Sequence, residues 1–552
     1  MPTAMLDDRG EATTTTGDSV TRFDYVIVGA GPAGCVLANR LSADRRVDVL
    51  LVEAGDRDTS PLIAMPMGFG ELLGDPTIAW NYPTRPFGPK QQVEHWVRGK
   101  TLGGSSAVNG MIYTRGQPPD YDALERLGNP GWGWDDILPA FKTIEDHELG
   151  PSNLRGAGGP LPVSSVDGTD ALLEDVISAG TELGWRRARD VNESDDERIG
   201  HAMATIRDGE RVSAANAFLH PIADRPNLTV SVKTTVDRVV IEEGRAVGVQ
   251  GRKDGQTVEF VASREVILAA GSIATPKILQ LSGVGPAGKL RSAGVEVLVD
   301  SPNVGSRMRE HRAFGMQFRL AEDLGYNRFL GTKSGQATAL HEYVTSRRGP
   351  LAAPPSGVVA LFKSRPELDR PDAQLQMAPF SILPPALGRA LQMEKEPGML
   401  CIGFILRPVS EGSVRITSND PDAPLGIDTN YLATEHDRTA AVDLFRAMRT
   451  LFATDPLAKR IEHETVPGLG VHTDEEILDA ALATGHCGYH AIGTCAMGPN
   501  ADDVVDSRLR VRGVANLRVM DASVLPIMVA GNLNGPITAL AWRAADLIIE
   551  GP

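Results

Sequence analysis

The chain has 552 residues, 42% of them hydrophobic and 23% charged, which fits a soluble enzyme of three or four ordinary domains or fewer large ones. Its 71 acidic against 55 basic residues leave a net charge of −16, which excludes a basic nucleic-acid footprint and a polybasic membrane patch. Four cysteines (Cys35, Cys401, Cys487, Cys495) make no disulfide framework in so long a chain, and no apolar run reaches the roughly 18–20 residues of a membrane span, so a cytoplasmic protein is expected.

Residues 1–21 include a threonine run, Thr13 to Thr16, but neither the apolar stretch of a signal peptide nor the Arg-rich face of a transit peptide. They read as a disordered lead. Phe23 to Val28 (FDYVIV) predicts a buried strand, and Gly29-Ala30-Gly31-Pro32-Ala33-Gly34 follows at once. A helical apolar repeat (Val36/Leu37 to Leu41) and a second strand, Val47 to Val52, complete a βαβ unit that ends in Glu53. Each piece has a chemical use. Gly29 allows a tight turn, Gly31 lets the backbone approach a pyrophosphate, and Gly34 lets helix and strand pack closely. The helix start offers N–H groups to phosphates, and Glu53 stands where an acid can hold an adenosine ribose. NAD and FAD fit this pattern equally well.

Two further glycine-rich segments follow. Arg98 to Arg115 (RGKTLGGSSAVNGMIYTR) holds Gly103-Gly104-Ser105-Ser106, too flexible and polar for a helix interior. It is either a surface loop or a loop folded over a flat polar ring system, closed off by Asn109 and Met111. Val266 to Gly271 (VILAAG) predicts another buried strand, whose end at Ala270 and Gly271 suggests a return to the first sheet. Near the C-terminus, His486 and His490 stand four apart with Cys487 and Cys495 nearby. A metal site there would need a helix, which Gly485, Gly488 and Gly493 oppose, so no metal is expected.

In these motifs the chain resembles the glucose–methanol–choline (GMC) oxidoreductases, in their choline dehydrogenase and alcohol dehydrogenase-like branch. Gly99 to Asp122 and Gly271 to Gly285 resemble the two family signatures. Gly488 to Gly498 (GYHAIGTCAMG) resembles the catalytic-histidine segment, and Asn516 to Leu547 the closing flavin segment. Arg225 to Leu228 (RPNL) and Asp428 to Leu432 (DTNYL) match weaker landmarks. The resemblance implies an α/β fold with a Rossmann-like FAD-binding domain, discontinuous over 22–149, 225–305 and 485–552. A discontinuous α+β substrate-binding domain would take 150–224 and 306–484. It also implies FAD as cofactor, an alcohol as substrate, and O2 or another compound as electron acceptor. His490 would be the general base and Asn532 its partner on the alkoxide, with hydride passing to flavin N5. For Asn532 the alternative is a helix cap, because Pro536 to Leu547 reads as a helix. Val236, Asp521, Ala522 and Asn534 would join Gly29, Gly31, Gly34, Glu53, Gly103, Gly104, Ser105, Asn109, Met111, Ala270 and Gly271 as FAD contacts. Some relatives attach FAD through a histidine where this chain has Val108, so non-covalent FAD is expected. Phe380 to Leu387 (FSILPPAL) is either core packing or a substrate lid. The competing activity is that of a lyase or photodecarboxylase on the same fold.

Overall fold

The computed structural model describes residues 22–165, 170–384 and 391–551. The expected lead at 1–21 and the Pro385 to Leu387 part of the candidate lid lie outside them.

The first βαβ unit forms as its sequence predicts. β1 (Arg22–Val28), α1 (Pro32–Leu41) and β2 (Val49–Val52) follow one another, with β1 and β2 parallel and Val28 paired to Val52. Both strands are near-continuous apolar runs because a parallel strand covered on both faces has no side left for water. β3 (Gln256–Leu268) returns to the other edge of β1, with Val26 beside Val266 and Val28 beside Leu268. The strand of Val266 to Leu268 therefore joins the first sheet. Leu228–Ser231 extends the sheet beyond β2, and Leu517–Val519 runs parallel to β3. The Arg225 to Leu228 landmark has a structural task here. Asn227 Nδ2 donates to the carbonyl oxygens of Ser42, Asp44 and Val47, at 3.1, 3.0 and 2.8 Å, and so locks the turn after α1.

Among the described residues a second sheet of eight strands holds β4 (Arg312–Leu320), β5 (Ala373–Ala378) and β6 (Gly398–Ile405), with β6 between the other two and antiparallel to both. Strand periodicity divides its faces. Leu375, Met377 and Cys401 turn to a core shared with the helix Glu435–Phe452. Gln374, Gln376, Ile402 and Phe404 turn the other way, paired Gln374 to Phe404 and Gln376 to Ile402 across the strands. Phe404 belongs to the same core as β1 and α1. This second face therefore looks toward the first sheet, and the site lies between them. Among the described residues no helix is long and apolar enough to cross a membrane.

Candidate active site

The glycine turn after β1 is shaped by close backbone approach. A Cβ on Gly29 (φ +100°) would meet Ala269 O at 2.6 Å, and one on Gly34 would meet Gly29 O at 1.8 Å. Neither position admits a larger residue. Gly31 differs: a Cβ there would meet nothing within 4 Å, so its backbone faces open space at the start of α1. That is the approach a pyrophosphate needs, and the donor set fits an adenine dinucleotide. The Gly103 loop lies directly over this turn. Gly103 N–H donates to Ala30 O at 2.8 Å, and a Cβ on Gly104 (φ +52°) would stand 2.6 Å from Gly31 Cα. Glu53 is buried, and its two oxygens accept from Ala30 N–H (2.9 Å) and Gly55 N–H (2.8 Å). Burial raises its carboxyl above the usual range, while these donors oppose the rise.

Asp521 ties the remaining cofactor-side residues together. One oxygen accepts from Gly271 N–H (2.9 Å) and Thr275 Oγ1 (2.6 Å), the other from Ser523 N–H (2.8 Å). Ala270, next to this group, lies against the Gly29 turn, where a Cβ on Gly29 would stand 2.8 Å from Ala270 Cα. Other candidates are spoken for by protein. Ser105 Oγ accepts from Gly99 N–H, and Asn109 Oδ1 accepts from Met111 N–H and Arg211 Nη1. Met111 takes φ +61° and packs with Ala204 and Ile206. Val236 is buried in the strand Thr234–Glu242, two residues past the Thr234 N–H that donates to Glu53 O. Asn534 opens α2, the helix Asn534–Ile549. Val108 packs its side chain with Ile63, Leu72 and Ala107.

His490 and Asn532 meet, as the resemblance implies they should: Asn532 Nδ2 lies 3.3 Å from His490 Nε2. The chain reaches this arrangement by two devices. Cys487 pairs with Arg312 and Ile492 with Arg309, which sets His490 across from His311. Gly488 is required there, because a Cβ would stand 2.7 Å from His311 Cβ and 3.1 Å from His490 Nδ1. On the other side, Asn532 N–H donates to Thr114 Oγ1 at 2.7 Å. The residue flanking α2 is Leu533, with no side-chain cap, so the Asn532 side chain is not a helix cap. Its Oδ1 accepts from Gln374 Nε2 (2.9 Å) and Gln376 Nε2 (3.0 Å) instead.

Residues that sequence reasoning missed complete the site. His311 Nδ1 is 2.9 Å from His490 Nδ1, and Phe404 stacks on the His311 ring at 4.6 Å. Glu310 Oε1 accepts from the backbone N–H groups of both His311 (2.9 Å) and His490 (2.7 Å). Burial pushes the Glu310 carboxyl up to about 7, against the pull of Arg98 at 3.5 Å. The only local signal for the two glutamines was the alternation in Ala373 to Met377, which marks a strand with one polar face.

Loss of hydration holds the His490 imidazole well below its usual range, helped by His311, Arg98 and His486. A base with a lowered pKa keeps its lone pair as pH falls from neutral and loses it only on reaching that lower value. With His490 as the general base that the resemblance implies, the rate of flavin reduction is expected to be flat across neutral pH and to fall only below the ordinary imidazole range near 6.5. Stopped-flow rates across pH check this, and a midpoint at or above 7 would contradict it.

The chain is similar to known proteins over most of its length. The GMC oxidoreductase family profile matches residues 23–313 with its N-terminal part and 408–541 with its C-terminal part. The chain is 37% identical to an alcohol dehydrogenase [acceptor] of Pseudomonas putida, over 96% of each chain. It is also 37% identical to the mitochondrial choline dehydrogenase of Mus musculus, covering 96% of this chain and 90% of that one. Among solved structures, pyridoxine 4-oxidase from Mesorbium loti superposes with a TM-score of 0.85 at 32% identity, covering 96% of this chain and all of that one.

Proposed function

The chain belongs to the GMC oxidoreductase family, as an FAD-dependent alcohol oxidoreductase, and from that premise we propose that His490 and Asn532 carry the oxidation of a CH–OH group to a carbonyl. The observation that supports this reading is the convergence of His490 Nε2 and Asn532 Nδ2 within 3.3 Å. An alcohol oxygen beside both atoms gives its proton to the imidazole and receives a hydrogen bond from the amide as negative charge develops. Gln374 and Gln376 hold the amide with its nitrogen forward. When bound, FAD supplies the acceptor for the electrons and the hydrogen that leave the carbinol carbon. The Gly29 and Gly103 turns, Glu53 and the Gly271–Asp521 pair would hold it. An anaerobic screen of primary alcohols, choline and sugars tests the proposal. At least one should bleach the flavin, and stable yellow colour throughout the screen would favour the lyase or photodecarboxylase reading.

Val108 offers no atom for a bond to the flavin, so FAD is expected to be dissociable. Acid precipitation should leave the yellow colour in the supernatant. Colour kept in the washed pellet would refute this.

A further inference from the structure

A base at His490 needs one tautomer, with a free lone pair on Nε2; the other, with Nε2 protonated, cannot take a proton from an alcohol. We infer that His311 selects the productive tautomer of His490 and acts as its positioning residue. The inference rests on the reading of His490 as base.

His311 is fully buried, and its Nε2 lies 3.1 Å from the carbonyl oxygen of Leu406. A carbonyl oxygen can only accept, so Nε2 carries the hydrogen. A neutral imidazole has one N–H, which leaves Nδ1 of His311 as an acceptor. His490 Nδ1, 2.9 Å away, must then donate, and His490 Nε2 is left with its lone pair toward Asn532. Reversing the chain would set His311 Nε2 and the Leu406 oxygen against each other as two buried acceptors, a costly arrangement. The far end agrees. Asn532 Oδ1 accepts from two glutamines, so its Nδ2 must face His490.

His311 must be neutral for this, and burial lowers its imidazole to about 4, with the positive charge of Arg407 acting in the same direction. Its ring is also fixed in place. Phe404 stacks on it at an interplanar angle of 26°, and Glu310 accepts from the backbone of both histidines. The charged or titratable groups that face the pair are Glu310, Arg98, Arg407 and His486.

Two variants separate the acceptor from the ring. His311→Phe keeps a ring against Phe404 and removes the acceptor; His311→Asn places an amide oxygen near the position of Nδ1. Limiting rates of anaerobic flavin reduction, substrate Kd and FAD content are measured for each. H311F should lower the limiting rate by roughly 10–100-fold, the range seen when the partner that orients a metal-bound imidazole is removed. Its Kd and FAD content should stay near those of the unmodified enzyme, and H311N should recover most of the rate. In the H490A background H311F should cost nothing further, because the two residues act as one unit. Nitrogen spectra of the unmodified, 15N-histidine-labelled holoenzyme read the tautomer directly, whether or not a variant folds, and should show His490 Nε2 without hydrogen. A hydrogen on Nε2 would overturn the inference. So would a normal rate in H311F, an H311N no better than H311F, or a full further loss in the H490A background. A slow H490A with a normal H311F removes this inference and leaves the base standing; a normal H490A removes both.

Discussion

His490→Ala is expected to slow flavin reduction by roughly 10²–10⁴-fold, the usual worth of a positioned proton acceptor. The substitution deletes the one nitrogen that faces Asn532 Nδ2, while His311 stands behind it with Nε2 committed to Leu406 O. FAD content should stay near normal, because the Gly29 turn, Glu53 and Asp521 form their contacts elsewhere. Rapid-mixing rates under anaerobic conditions, with the flavin-to-protein ratio from absorbance, check both halves. A parallel loss of FAD and activity would make His490 a structural residue.

Asn532→Ala should lower the same rate by about 10²-fold, since a donor to a developing oxyanion contributes about 2.7–4 kcal/mol to the barrier. It also leaves the Gln374 and Gln376 donors without their acceptor, which costs about 1–3 kcal/mol of stability for a buried polar group. The two effects can be separated. Asn532→Asp keeps an oxygen for both glutamines but offers no amide hydrogen to the alkoxide. It should melt closer to the unmodified enzyme than Asn532→Ala and still reduce its flavin slowly. Normal reduction in Asn532→Asp would show that the amide donor is not needed, and His490 would then act without it.

How much of the site was legible follows from the range over which each interaction acts. The cofactor end could be read along the chain because its demands are local. The positive φ of Gly29, the contact of Gly34 with Gly29 O and the acid closing β2 all lie within one βαβ unit, although the atom nearest a Gly29 Cβ, Ala269 O, comes from beyond β3. The strand at Val266 to Leu268 could be assigned to the same sheet because apolar runs and a glycine-led helix repeat that pattern. Asn532 was ambiguous, since asparagine before a helix also suits a cap. Only the contact with β5 showed that its amide points to His490.

The chain's own order thus determined the dinucleotide fold, the glycine loops and the histidine and asparagine that stand on them. Tertiary structure alone decided which groups govern that pair. Glu310 and His311 precede β4, Gln374 and Gln376 lie on β5, and Phe404 lies on β6, all far in sequence from His490. The alternation in Ala373 to Met377 announced a strand with one polar face, but a period of two names a face and not what it meets. Sheet register sets Gln374 beside Phe404, and antiparallel pairing sets His490 across from His311. Those choices are made by the burial of whole faces against each other, a free energy that no local stretch of sequence contains.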